Sequence, residues 1–206
     1  LTAGQLGLIG SALLFVYAIG KFINGFIADY CNIRRFMAVG LFISSVINLI
    51  LGVLGFLNGR AAWVSMFVFI SFAILWGVNG WCQSMGAPPG VISLSRWFPL
   101  SKRGTFYSFL SSTPYVGEFL SFIITGFVVG AFGWQWGFVV ASLAGMIGTA
   151  IILVFVSDTP ESKGLPSVQQ LSREQVRPVD KMHTKDLQKK VFRHPGIWII
   201  ALSSAF

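Results

Sequence analysis

Charged residues are scarce in this sequence. Asp, Glu, Lys and Arg make up 11% of its 206 residues, where a soluble domain carries roughly 25%. So few cannot cover a water-facing surface, which excludes an ordinary soluble globule. Acids are the scarcer sign, 7 against 15 Lys and Arg, and the formal net charge is +8. That balance would suit nucleic acid, yet most basic residues lie between the apolar runs rather than in them, so no nucleic-acid partner is expected. Cysteine is nearly absent. Cys31 and Cys82 offer neither metal-ligand spacing nor an evident disulfide framework, and read as unpaired thiols in or near a membrane. No secretory signal peptide is visible, and a helical inner-membrane protein needs none. An initiating Met is missing too: the sequence starts at Leu1 and stops inside the apolar "IIALSSAF", so it is expected to be a fragment of a longer protein.

Apolar residues are what the sequence has in abundance, at 54%, with a mean hydropathy of +0.74. About 20 of them in a helix cross the hydrocarbon core. Five complete spans are expected, approximately Leu6–Ile27, Phe36–Leu57, Ala61–Met85, Thr105–Phe132 and Trp136–Val156, with a sixth starting near Ile197. Continuous runs of this length exclude a barrel of short alternating strands, so the fold class is an all-α membrane protein. Its expected organisation is a bundle of five transmembrane helices over residues 1–156, a hydrophilic cytoplasmic loop over 157–195, and the start of the next transmembrane helix over 196–206. "GAPPG", Gly86 to Gly90, should break the third span, because proline lacks a donor and disfavours helix before it.

Basic residues set the orientation. Arg34 and Arg35 lie in the first connection, Arg96, Lys102 and Arg103 in the third, and Lys163 opens the fifth, whereas the second holds only Arg60 and the fourth, "GWQ", none. The N-terminal end is therefore expected outside and the segment after Val156 in the cytoplasm. Within that segment "TKDLQKKVF", Thr184 to Phe192, spaces Leu187 and Val191 four apart with lysines on other faces. It reads equally as a helix on an anionic leaflet or as a solvated linker. Small residues recur in pairs inside the spans, at Gly7 and Gly10, Gly52 and Gly55, Gly126 and Gly130, Gly145 and Gly148, and should let helix backbones approach closely.

Two charges stand inside the oil. Lys21 lies eight residues before Asp29 in "YAIGKFINGFIADYCNIRR", about 12 Å along a helix. That is a long reach for a snorkelling lysine, although a tilted helix would shorten it. A charge at a helix centre costs roughly 2.5–3.5 kcal/mol on insertion scales and usually faces the bundle interior or an aqueous cavity. A cationic cavity selects anions. Glu118, near the centre of the fourth span, reads as a protonated packing carboxyl, a partner for Lys21, or a proton-binding group. The spans hold no nucleophile–base pair and no metal cluster, so an enzyme, a cofactor and a metal site are not expected.

These stretches bring a resemblance. "GFIADYCNIRR" resembles the loop signature between helices two and three of the major facilitator superfamily. With "GWCQSMGAPPG", "SKRGTFYSF" and "SDTPESKGLP" in order, the sequence is similar to the organophosphate:phosphate antiporter family of glycerol-3-phosphate transporters, hexose-phosphate transporters and a related sugar-phosphate sensor. The resemblance covers nearly the whole chain. It implies helices two to six, the central loop and the start of helix seven, an incomplete N-terminal half that works by alternating access around a midplane site. By that alignment Lys21 falls on the family's phosphate-site lysine, and Tyr17 and Gln83 fall on cavity residues. Asp29, Arg34, Arg35, Arg103 and Gly104 fall on loop motifs that gate by charge pairing. The family's helix-five histidine falls on Pro114, its tryptophan before the paired prolines on Ala87, and a helix-five glycine on Glu118, which shares a helix face with position 114.

The implied function is a monomeric inner-membrane antiporter exchanging an organophosphate for inorganic phosphate, with the bilayer and small anions as its partners. A sugar-phosphate sensor working with a histidine kinase and a proton-coupled organic-anion symporter using Glu118 are the alternatives.

Overall fold

A computed structural model describes residues 3–57, 62–166, 168, 170 and 181–203. It divides the chain into two compact units, residues 1–172 and 173–206. The first contains α1 (Ala3–Tyr30), α2 (Ile33–Leu57), α3 (Ala62–Gln83), α4 (Ala87–Trp97), α5 (Leu100–Phe132) and α6 (Trp134–Phe155), then a 3-10 turn at Pro160–Lys163. Five stretches of these helices are long and apolar enough to cross a membrane: Gly4–Tyr30, Ile33–Leu57, Met66–Trp97, Leu100–Phe132 and Trp134–Phe155. This is the all-α membrane bundle expected.

The helices overrun the apolar runs. α1 continues to Tyr30, past Ile27, while α2 starts at Ile33 and α5 at Leu100. Hydropathy marks where lipid tails begin and end, but the hydrogen-bond ladder stops only where the backbone is interrupted. The break at "GAPPG" is a brief turn between two helices. The amides of Ser84, Met85 and Gly86 fold back on Gly80, Cys82 and Gln83 carbonyls at 3.1, 3.2 and 3.2 Å. Helix then resumes as α4 with its prolines in the first turn, where the missing N–H is not needed. The expected "GWQ" loop shrinks to one residue. Gly133 alone joins α5 to α6, at φ +95°, a conformation essentially reserved for glycine when ψ is extended, as here at 162°.

Packing is most extensive between α2 and α6 and between α1 and α3. Ile9, Ile47, Leu51, Val68, Phe72 and Cys82 form the core. Phe138 of α6 meets Phe72 and Trp76 of α3 edge-on at 5.7 and 5.6 Å. Half of the glycine pairs do what small residues were expected to do: Gly52 and Gly55 lie against Val139 and Trp134, and Gly145 and Gly148 against Ser45 and Leu41. Gly7, Gly10, Gly126 and Gly130 instead face open space.

α5 packs on α6 and α4 but has no buried residue. It contains Pro114, whose missing N–H would leave the Leu110 carbonyl unpaired. The Thr113 hydroxyl donates to that carbonyl at 2.8 Å, so the helix runs on through the proline.

The second unit contains α7 (Lys181–Arg193) and α8 (Pro195–Ser203), separated by His194. The expected loop positions 171–180, with Arg173, Glu174, Arg177 and Asp180, lie outside the described residues, as does Arg60 of the second connection.

Candidate functional site

Lys21 and Tyr17 are one turn apart on α1. The Lys21 ammonium stands 5.7 Å from the centre of the Tyr17 ring, within the range of a cation–π contact. The Lys21 side chain is exposed. Glu118 is exposed on α5, and the two make no ion pair, so the pairing entertained from sequence is not present.

A close crossing of α1 and α3 positions the lysine. Asn24 Nδ2 donates to Ser84 Oγ at 2.7 Å, and that hydroxyl donates to the Trp81 carbonyl at 2.6 Å. Asn24 and Ser84 are fully buried, so the bond is made in a buried interface where leaving either group unpaired is costly. Gly20 completes the contact, since a Cβ there would run into Ser84 and Trp81. The turn carrying Lys21 thus lies beside the turn carrying Gln83, whose side chain is also exposed. A second buried polar contact, Ser44 Oγ to Asn79 Oδ1 at 2.6 Å, ties α2 to α3. Asn24, Asn79 and Ser84 gave no signal in the sequence, because an amide or hydroxyl within an apolar run is legible as a contact only once its partner helix is known.

The loop-motif residues gather where α1, α4 and α6 end and α2 and α5 begin. Asn32 caps α2: its Oδ1 accepts the Arg35 amide at 3.1 Å. Asp158, just after α6, accepts the Ile33 amide at 2.9 Å and the Arg96 guanidinium at 2.6 Å through the same oxygen. A carboxylate at a helix N-terminus and a cation near the end of α4 each also suit the helix dipoles. Trp97 Nε1 donates to the Ser157 carbonyl at 3.2 Å. The Arg34 guanidinium donates to the Leu153 carbonyl in the last turn of α6. Arg103 donates to the Phe98 and Ser95 carbonyls, both at 2.9 Å, and so covers the end of α4. Asp29 is exposed at the end of α1, and a side chain at Gly104 would meet nothing. Arg34 and Arg103 thus bind helix-end carbonyls, and Arg96 forms an ion pair with Asp158. Sequence reading left that pair out of the site. Its one sequence signal is the position of Asp158 immediately after an apolar run.

The geometry provides an exposed ammonium on a membrane helix, with no carboxylate in ion-pair reach among the described residues, beside a close helix crossing. Such a group binds anions by charge-assisted hydrogen bonds. His, Cys, Asp and Glu form no cluster fit for a metal among the described residues.

Comparison with known proteins places this geometry in a family. The probable hexose phosphate transport protein of Chlamydia pneumoniae is 37% identical over 82% of the chain and 35% of its own length. The glycerol-3-phosphate transporter of Bacillus subtilis is 31% identical over 98% of the chain and 45% of its length. The membrane sensor protein UhpC of Salmonella typhimurium is 27% identical over 98% and 44%. The chain thus spans less than half the length of each of these relatives. The Major Facilitator Superfamily profile matches residues 1–206 from end to end, and the chain belongs to that superfamily.

Proposed function

We propose that this chain is the larger part of the N-terminal half of an inner-membrane secondary transporter, not an enzyme, which exchanges an organophosphate for inorganic phosphate by alternating access. Lys21 binds phosphoryl oxygens, Tyr17 and Gln83 line the cavity beside it, and Glu118 faces the same substrate path from α5. Asp29, Arg34, Arg35, Arg103 and Gly104 belong to the cytoplasmic gate. In this reading the N-terminal end lies outside, the segment after α6 is cytoplasmic, and the transporter is monomeric. The observation that carries the reading is the exposed Lys21 ammonium, set against Tyr17 on a membrane helix with no ion-pair partner among the described residues. The names of the relatives, a hexose phosphate transport protein and a glycerol-3-phosphate transporter, support the substrate class.

Phosphate counterflow in proteoliposomes of the intact protein tests this. Lys21→Ala should abolish exchange and Lys21→Arg retain part of it. Wild-type exchange by Lys21→Ala refutes the assignment. A relative named as a membrane sensor favours a second reading, sugar-phosphate sensing with a histidine kinase partner. Very slow turnover together with co-purification of such a kinase would select it. Uptake driven by a pH gradient without internal phosphate, and lost in Glu118→Gln, would instead select proton-coupled symport.

A further inference from the structure

The second unit carries a cluster that the transport reading leaves unused. Along α7, Lys185, Lys189 and Arg193 recur every four residues, with Lys190 on the adjoining row, and all four are exposed. Asp186 lies among them, and with Lys189, Lys190 and Arg193 it lines an open pocket of about 280 Å³. From Lys185 to Arg193 the row runs about 12 Å along the helix, longer than a single phosphate group.

The junction with α8 is aromatic. Trp198 Nε1 donates to the Phe192 carbonyl at 2.9 Å, and the two rings meet edge-on at 5.1 Å. This clasp satisfies a carbonyl left over at the end of α7 and fixes both rings where a basic helix hands over to an apolar one. Val191, Phe192, Trp198 and Ile199 are all exposed. A soluble anion would satisfy the cations and leave these apolar side chains in water. A membrane surface satisfies both, because headgroups take the cations and the interface takes the aromatic rings.

We propose that α7 is a docking surface for anionic phospholipid, with Lys185, Lys189, Lys190 and Arg193 on headgroup phosphates and Val191, Phe192 and Trp198 seated at the boundary of the leaflet that α8 enters. The inference stands independently of what the protein transports. It is tested on the intact protein with Cys31→Ser, Cys82→Ala, any cysteine outside residues 1–206 replaced, and Val191→Cys, the new thiol carrying an environment-sensitive fluorophore. The protein is held in nanodiscs of phosphatidylcholine alone or mixed with phosphatidylglycerol. The expected result is a blue shift and quenching by a lipid-borne nitroxide in the anionic discs only. Salt at about 1 M, which shortens screening to about 3 Å, should reverse it. Lys189→Gln, Lys190→Gln and Arg193→Gln together should raise the anionic-lipid fraction needed for half the response at least about fivefold, whereas Lys189→Arg with Lys190→Arg should not. Equal responses in neutral and anionic discs, or insensitivity to salt, overturn the proposal. So does a response to inorganic phosphate in neutral discs, which assigns the cluster to a soluble anion, or one to an acidic peptide alone, which assigns it to a protein.

Discussion

At the scale of single residues, the described membrane helices hold their polar groups in two distinct ways. Lys21 and Glu118 are exposed, whereas Asn24, Ser44, Asn79 and Ser84 are buried and bonded across helix interfaces. The first kind is open to a solute and the second fixes geometry. Asn24→Ala therefore acts on Lys21 from a distance. It leaves the Ser84 hydroxyl with its bond to Trp81 but removes the contact that sets the crossing of α1 on α3. A loss of about 1–3 kcal/mol in stability is expected, measured by thermal unfolding in detergent, with weaker phosphate affinity than in Asn24→Gln. The sequence made Lys21 conspicuous because an ammonium in an apolar run has few cheap explanations. It hid Asn24, because an amide in such a run is unremarkable until a partner appears on a helix 60 residues away.

At the scale of elements, apolar length made the helices legible and left their ends and pairings unread. Four glycine pairs look alike in sequence, yet two bring helices together and two face open space. Spacing identifies a surface that permits contact, and only the fold decides whether contact is made. Two local devices yield predictions. In α5 the Thr113 hydroxyl substitutes for the donor that Pro114 lacks. Thr113→Val should cost about 1 kcal/mol beside Pro114 and much less beside Pro114→Ala, because the restored amide reclaims the Leu110 carbonyl. A double-mutant cycle by thermal unfolding reads the coupling. At the α5–α6 junction, Gly133→Ala forces a side chain onto a backbone at φ +95° and within 3.0 Å of Gln135 Oε1. A loss of about 1–3 kcal/mol is expected, seen as a lowered unfolding temperature with helix content by circular dichroism retained at low temperature.

At the scale of the whole first unit, one carboxylate unites elements that are remote along the chain. Asp158 binds the start of α2 and the end of α4 from a position just after α6. Removing its charge leaves a guanidinium and a helix-end amide without their acceptor. Asp158→Ala should lower stability by about 1–3 kcal/mol and, if transport proceeds by rocking of a rigid half, slow exchange more than it weakens phosphate binding. Asp158→Glu should recover part of both in the same counterflow assay. The sequence marked Asp158 only by its place just after an apolar run, and its partners were hidden because Arg96 looks like the ordinary charged fringe of a membrane helix and the Ile33 amide carries no side-chain signal.

The 125 residues that separate Ile33 from Asp158 also set an order of events during synthesis. A ribosome has delivered every membrane helix of the unit before it makes the group that fastens α2 and α4. Nascent chains halted before Asp158 should therefore carry an α2 end that a protease reaches, and chains released beyond it should not.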